Sequence, residues 1–191
     1  MSRRLRTALV VEDDADLRAA ITGYLRTKLT RVAAAGSAAD AIAQLRGRPD
    51  VIVLDVLLPD GNAFKVLEHA RRLAPAPIRI AMSGNATPEE SFRLGQFGVR
   101  RYLQKPVSLD EIWQAICSAS EEPPDLKPLV QETVGRMPLR DILSRVREEA
   151  IRQAFAIARG NRTAAARILS VTRQAVQQML RDAVARKSPR A

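Results

Sequence analysis

The sequence predicts an α/β protein: a doubly wound, five-stranded parallel sheet followed by a small all-α unit. Two observations carry this. Over the first 120 residues, short apolar, β-branched runs alternate five times with amphipathic helical stretches, as expected for strands covered on both faces. Beyond a proline-rich break, only helical spacing remains. The 191 residues allow one domain of about 120 residues and a much smaller second one.

The predicted strands are Leu5–Val11, Arg31–Ala34, Val51–Asp55, Ile78–Ser83 and Val99–Gln104. Helical patterns fall between them at 15–28, 38–46, 62–73, 88–97 and 108–118. Three of these helices have readable starts. Ser37 precedes Ala38, Thr87-Pro88-Glu89-Glu90 places a cap before proline and acids, and Ser108-Leu109-Asp110-Glu111 fits a capping box. Residues 1–120 are therefore assigned to the α/β domain.

Residues 121–137, with Pro123-Pro124 and Pro128, read as an extended linker. Residues 138–191 form the second domain. A long helix is expected from Pro138 to Ala158, with Leu139, Ile142, Leu143, Val146, Ala150, Ala154 and Ile157 at spacings of three and four. That stripe is either a packing face for the following helices or a dimer face. Gly160-Asn161 ends the helix, and Thr163 starts a short one over Ala164–Leu169. Ser170-Val171-Thr172 turns into a last helix over Arg173–Val184, with a basic tail after it.

Apolar residues make up 46% and charged residues 27%, as in ordinary globular chains. No apolar run approaches the roughly 18 residues of a membrane span, and the basic N-terminus leads into too short an apolar segment for a signal peptide. A cytoplasmic protein with no membrane partner is expected. The single cysteine, Cys117, excludes an internal disulfide and a thiolate metal cluster, and its apolar helical neighbours predict a buried small hydrophobe.

The net charge of +10 is uneven. Residues 1–120 hold 17 Lys+Arg against 13 Asp+Glu, whereas residues 138–191 hold 12 against 4. So large an excess on a small domain points to a polyanion, most simply nucleic acid.

In an open parallel sheet, chemistry collects beyond the carboxyl ends of the strands. Four of the five strands deliver polar residues there: Glu12-Asp13-Asp14, Asp55, Ser83-Gly84 and Lys105-Pro106. Converging carboxylates repel unless a cation sits among them, and magnesium suits hard oxygen ligands in compact geometry. Lys105 adds a fixed positive charge and Ser83 a hydroxyl, which together suit extra negative charge on a group attached to Asp55.

Residues 5–118 resemble the receiver domain of two-component response regulators, a flavodoxin-like fold. The likeness is carried by Val11-Glu12-Asp13-Asp14, by Leu54-Asp55 with Leu58-Pro59-Asp60-Gly61, by Met82-Ser83-Gly84, and by Tyr102-Leu103-Gln104-Lys105-Pro106. The resemblance implies that Asp55 accepts a phosphoryl group from a sensor histidine kinase. It also implies that Asp13, Asp14, Asp55 and the carbonyl of Val56 hold Mg2+. Lys105 and Ser83 would contact the phosphoryl group, Tyr102 would turn inward as an aromatic switch, and Gly84 would leave room for the group to enter. Leu57 and Asn85 are expected to border the path of a hydrolytic water.

The segment Gly160–Leu180 resembles the Fis-type helix-turn-helix, shared by the factor for inversion stimulation and the output domains of nitrogen-regulation activators. Ala165 and Ala166 allow close helix contact, and Ile168, Leu169, Val171, Val176 and Leu180 are expected to close a small core. This leaves Thr172, Arg173, Gln174, Gln177, Gln178 and Arg181 to face double-stranded DNA, with Arg162, Arg167, Arg186 and Lys187 at its backbone. Ser170 stands where that family usually has glycine. No Gly-x-x-x-x-Gly-Lys-Ser/Thr loop occurs and fewer than 20 residues separate the two modules, so the large ATPase of nitrogen-regulation activators has no place here. The arrangement is more like short global redox and photosynthesis regulators. A DNA-binding homodimer controlled by phosphorylation is expected, not an enzyme; the alternative is an adaptor whose basic domain binds a protein.

Overall fold

The computed structural model describes residues 5–60, 63–84, 87–122 and 126–187. The chain divides into two compact units, 1–123 and 124–191. The first runs β1 (Thr7–Val11), α1 (Ala15–Arg26), β2 (Arg31–Ala35), α2 (Ala38–Gln44) with a 3-10 turn at Leu45–Gly47, β3 (Val51–Asp55), α3 (Ala63–Arg71), β4 (Ile78–Ser83), α4 (Pro88–Gln96), β5 (Arg101–Gln104) and α5 (Leu109–Glu121). The sheet is parallel throughout with strand order β2-β1-β3-β4-β5. The order reverses at β1 and β3, so the crevice for chemistry opens between their carboxyl ends.

Strand β3 lies at the centre and all five of its residues are buried. Alternation along the strands separates two cores. Leu9, Val11, Ile52 and Leu54 pack with Val66 and Leu67 of α3 on one face. Val10, Val53, Ile80 and Met82 pack with Ile21 and Leu25 of α1 and Ile112 and Ile116 of α5 on the other. Thr87 and Ser108 both form complete capping boxes, with Glu90 and Glu111 reaching back to the cap. The bonds from Ser108 hold the Glu111 carboxyl below its ordinary pKa.

The strand ends differ from expectation by a residue or two, for local reasons. Strand β5 begins at Arg101 because the Val99 N–H donates to Leu94 O at the end of α4, outside the ladder. Strand β1 begins at Thr7, where the Asp50 carboxylate accepts the N–H groups of both Arg6 and Thr7 at 3.0 Å. Helix α5 runs to Glu121 and ends where Glu122 is held: Arg101 pairs with its carboxylate and Arg100 donates to its carbonyl at 2.6 Å. Cys117 is partly buried rather than fully so, and burial pushes its thiol pKa up.

The second unit contains α6 (Lys127–Thr133), α7 (Leu139–Ile157), α8 (Arg162–Ile168) and α9 (Arg173–Lys187). Helix α6 lies within the segment expected to be an extended linker, and Pro128 fits because a first-turn proline removes no intrahelical bond. Helices α7, α8 and α9 pack on one another around Ile151, Ala154, Ala165, Ala166 and Val176. Ile168, expected in that core, is 45% exposed, because short α8 turns only its alanine face inward. The cap of α8 is Asn161 rather than Thr163, accepting the Ala164 N–H at 3.0 Å. Among the described residues no helix is long and apolar enough to cross a membrane.

Candidate functional site

The carboxyl edge of the sheet brings Glu12, Asp13, Asp55, Ser83 and Lys105 together. Each lies at or just past the end of a strand, so the sheet itself fixes their spacing. Asp55 closes β3 and is 4% exposed; Glu12, directly after β1, is 1% exposed. Lys105 follows β5, and its main-chain N–H is pinned to Ser83 O at 2.8 Å. Its Nζ donates to Asp55 Oδ2 at 2.6 Å and to both Glu12 oxygens at 2.8 and 3.0 Å. Asp55 Oδ1 accepts the Leu57 N–H at 2.8 Å, which fixes the orientation of the carboxylate.

The electrostatics follow from burial and crowding. Burial pushes the Glu12 pKa up; the hydrogen bond from Lys105 opposes this, and the nearby Asp55 charge reinforces it. Burial works against the Lys105 charge, but its bonds to Asp55 and Glu12 prevail and its pKa is raised. The Ser83 hydroxyl is fully buried with no hydrogen-bond partner among the described residues. An orphaned hydroxyl of this kind costs about 1–3 kcal/mol unless something arrives to use it. Tyr102 is half-buried, and its hydroxyl donates to Ser83 O at 3.3 Å. A Cβ added at Gly84 would meet nothing within 4 Å among the described residues.

The carboxylates that the structure brings together differ by one residue from the expected set of Asp13, Asp14 and Asp55. Glu12, Asp13 and Asp55 offer carboxylate oxygens within 4.8 Å of one another. Asp14 instead caps α1, its Oδ1 accepting the Leu17 N–H at 2.8 Å. The Val-Glu-Asp-Asp run does not reveal which two of its three acids turn inward, and the start of α1 decides it. Arg18 was not singled out from the sequence, yet its Nη1 donates to Glu12 O and Asp13 O at 2.7 and 2.9 Å and holds this loop. Three carboxylates against one ammonium leave two net negative charges. A divalent, oxygen-seeking ion fits that balance, and the donor set is a magnesium site.

This correction has a direct check. Asp14→Ala should cost about 1 kcal/mol of stability, as lost N-caps do, and leave Mg2+ affinity nearly unchanged. Asp13→Asn should lower Mg2+ affinity at least about tenfold by removing a ligand charge. Urea denaturation and calorimetric Mg2+ titration of both variants measure this; the reverse ranking would restore Asp14 as a ligand.

Val56 is buried, with its N–H on Met82 O at 2.9 Å, and Leu57 is 55% exposed beside the site. Asn85 lies outside the described residues, as do the side chains of Arg186 and Lys187.

In the second unit, Arg162, Arg167, Thr172, Arg173, Gln174, Gln177, Gln178 and Arg181 are all exposed, while Val176 between them is buried. Thr172 Oγ1 accepts the Ala175 N–H at 3.1 Å, capping α9. Ser170 in the turn has φ +54°, a left-handed conformation in which glycine is the unstrained residue.

A parallel β2-β1-β3-β4-β5 sheet with this acidic, lysine-bridged edge defines a phosphorylation-switch fold, and the chain belongs to the response regulator receiver domain family, whose model matches residues 8–117. Along nearly its whole length, the chain is similar to the photosynthetic apparatus regulatory protein RegA of Rhodobacter capsulatus: 28% identical over 189 residues, covering 97% of this chain and 94% of RegA. It is 31% identical over 116 residues to the DNA-binding transcriptional regulator NtrC of Bradyrhizobium, spanning 60% of this chain but 24% of that protein. Among solved structures, the non-phosphorylated HemR receiver domain of Leptospira biflexa is 26% identical with a TM-score of 0.57, covering 63% of this chain and 98% of that one.

Proposed function

We propose that this chain is a transcriptional regulator of a two-component system, in which phosphorylation of Asp55 controls DNA binding by the C-terminal helices. In this reading residues 1–120 receive the signal, residues 138–191 bind DNA, and residues 121–137 join them, with α6 inside the junction. The observation that carries it is the end-to-end similarity to RegA together with the lysine-bridged cluster of Glu12, Asp13 and Asp55.

Asp55 Oδ attacks the phosphorus of a phosphohistidine on a sensor histidine kinase. An aspartyl O–P bond forms, the histidine N–P bond breaks, and the imidazole leaves with its electron pair. Glu12, Asp13 and Asp55, with the Val56 carbonyl, would hold magnesium, which when bound would offset charge on the transferring group. Lys105 is already bonded to the acceptor carboxylate and follows its charge as the phosphoryl group arrives. The Ser83 hydroxyl, unpartnered among the described residues, gains an acceptor, and a shift of the whole residue toward it would disturb the Tyr102 bond to Ser83 O. Only interactions that differ between the two states shift the population, and these are the ones that differ.

Thr172 and the start of α9 anchor a DNA phosphate, while Arg173, Gln174, Gln177, Gln178 and Arg181 face base edges. Arg162 and Arg167 hold the backbone. Two copies of the chain would place two α9 helices about 34 Å apart on one face of the duplex.

The test is a fluorescence-anisotropy titration of duplex DNA across salt concentrations, with and without a small phosphodonor. Affinity should fall steeply with salt, by a slope of about 0.9 per phosphate contacted, and rise on phosphorylation. A flat salt dependence would instead favour an adaptor whose basic unit binds protein.

A further inference from the structure

We propose that Arg79, with Arg71 and Arg100 beside it, forms a second anion site at the end of the sheet opposite Asp55, built for a phosphate-type dianion. Arg79 is the second residue of β4, four residues before Ser83 and so about 13 Å from the acidic edge. It pairs with Ile52 and faces the core side covered by α3 and α4, a position otherwise lined by apolar residues.

The side chain is placed but not neutralised. Among the described residues its Nε is fully buried with no hydrogen-bond partner, and no carboxylate forms an ion pair with the guanidinium. On the adjoining elements, Glu68 of α3 pairs with Arg72 at 2.6 Å, and Glu122 after α5 pairs with Arg101. The other end of the fork lies against Gly98, where a Cβ would come within 2.8 Å of Arg79 Nη2; Gly98, at φ +68°, brings the backbone this close. Phe97, next in the chain, carries Arg71 over its ring at 5.8 Å. Arg100 is tied in from the other side by its N–H to Arg79 O at 2.8 Å, and its own guanidinium donates to Glu122 O.

Burial and then the charges of Arg71 and Arg100 depress the Arg79 pKa, so the protein holds a half-buried cation among like charges. A half-buried charge without a counter-charge costs stability, and the buried, unmet Nε–H adds to the cost. An anion relieves both. Guanidinium forks favour planar, two-point contact with oxyanions, and the Arg79 fork, with the positive charges of Arg71 and Arg100 nearby, suits a dianion rather than a monocarboxylate. The ligand is therefore inorganic phosphate or a small phosphomonoester. The site shares no residue with the acidic edge or the basic helices, so it stands or falls independently of the proposed function.

The experiment follows the Arg79 Nε–H resonance of the full-length protein by 15N–1H NMR at constant ionic strength and without Mg2+. Inorganic phosphate, glycerol phosphate, acetate and chloride are titrated in separate arms, with thermal midpoints measured in parallel. Phosphate or its ester should shift the Nε–H saturably and raise the midpoint, and the better of the two arms identifies the source. Arg79→Met should fold at least as stably as wild type without phosphate and lose the phosphate-dependent gain, at least a tenfold fall in apparent affinity. An unmoved Nε–H, an equal response to acetate or chloride, or an undiminished gain in Arg79→Met would overturn the site. If Arg79→Met fails to fold, the wild-type Nε–H titration still decides the question.

Discussion

Asp55→Asn should abolish phosphoryl uptake from a small phosphodonor and, with it, any donor-dependent rise in DNA affinity. The loss is complete rather than partial because no neighbour can substitute. Both Glu12 oxygens are engaged by Lys105 Nζ, and Glu12 is more deeply buried than Asp55. Asp13 is exposed and outside the bond network that orients Asp55 through the Leu57 N–H. An amide also keeps the shape of the carboxylate while removing one of the charges that raise the Glu12 pKa, so the variant should remain folded. Acid-labile, base-labile phosphate measured after donor treatment is the readout. Phosphate retained at wild-type stoichiometry would move the acceptor to another residue.

The second large effect is on DNA. Arg173→Ala, at the start of α9, should cost about 1–3 kcal/mol of binding and relax the preference for one base pair, as loss of a two-point contact to guanine does. Arg167→Ala should act differently, weakening all sequences alike and reducing the salt slope by about one contact. Both side chains are exposed on helices whose buried residues lie elsewhere, so neither change should disturb the fold. Competition titrations with matched and mismatched duplexes separate the two roles. Unchanged affinity in Arg173→Ala would remove α9 from the DNA face.

Most of the sheet is legible in the sequence, because strands buried on both faces leave continuous apolar runs and their polar ends mark the chemical edge. Val51–Asp55 is the clearest case, and it occupies the centre of the sheet. The less legible parts are those settled by a few hydrogen bonds. Whether Asp14 or Glu12 faces the cluster depends on which acid caps α1, and capping and ligation ask for the same side chain. Helix α6 was hidden by prolines that disfavour helix interiors but are tolerated in a first turn. Arg79 gives no signal in the sequence at all, since a charged residue inside an apolar strand pattern reads as ordinary alternation.

The buried Ser83 hydroxyl, unpartnered among the described residues, and the Lys105 bridge should respond to a phosphoryl group on Asp55. Titrating the protein with Mg2+ and beryllium fluoride, a phosphoryl mimic, while recording NMR shifts tests it most directly. Large, saturable shifts at Ser83, Tyr102 and Lys105, absent from Asp55→Asn, are the predicted result. Resonances of those three residues that stay fixed at saturation would contradict the switch.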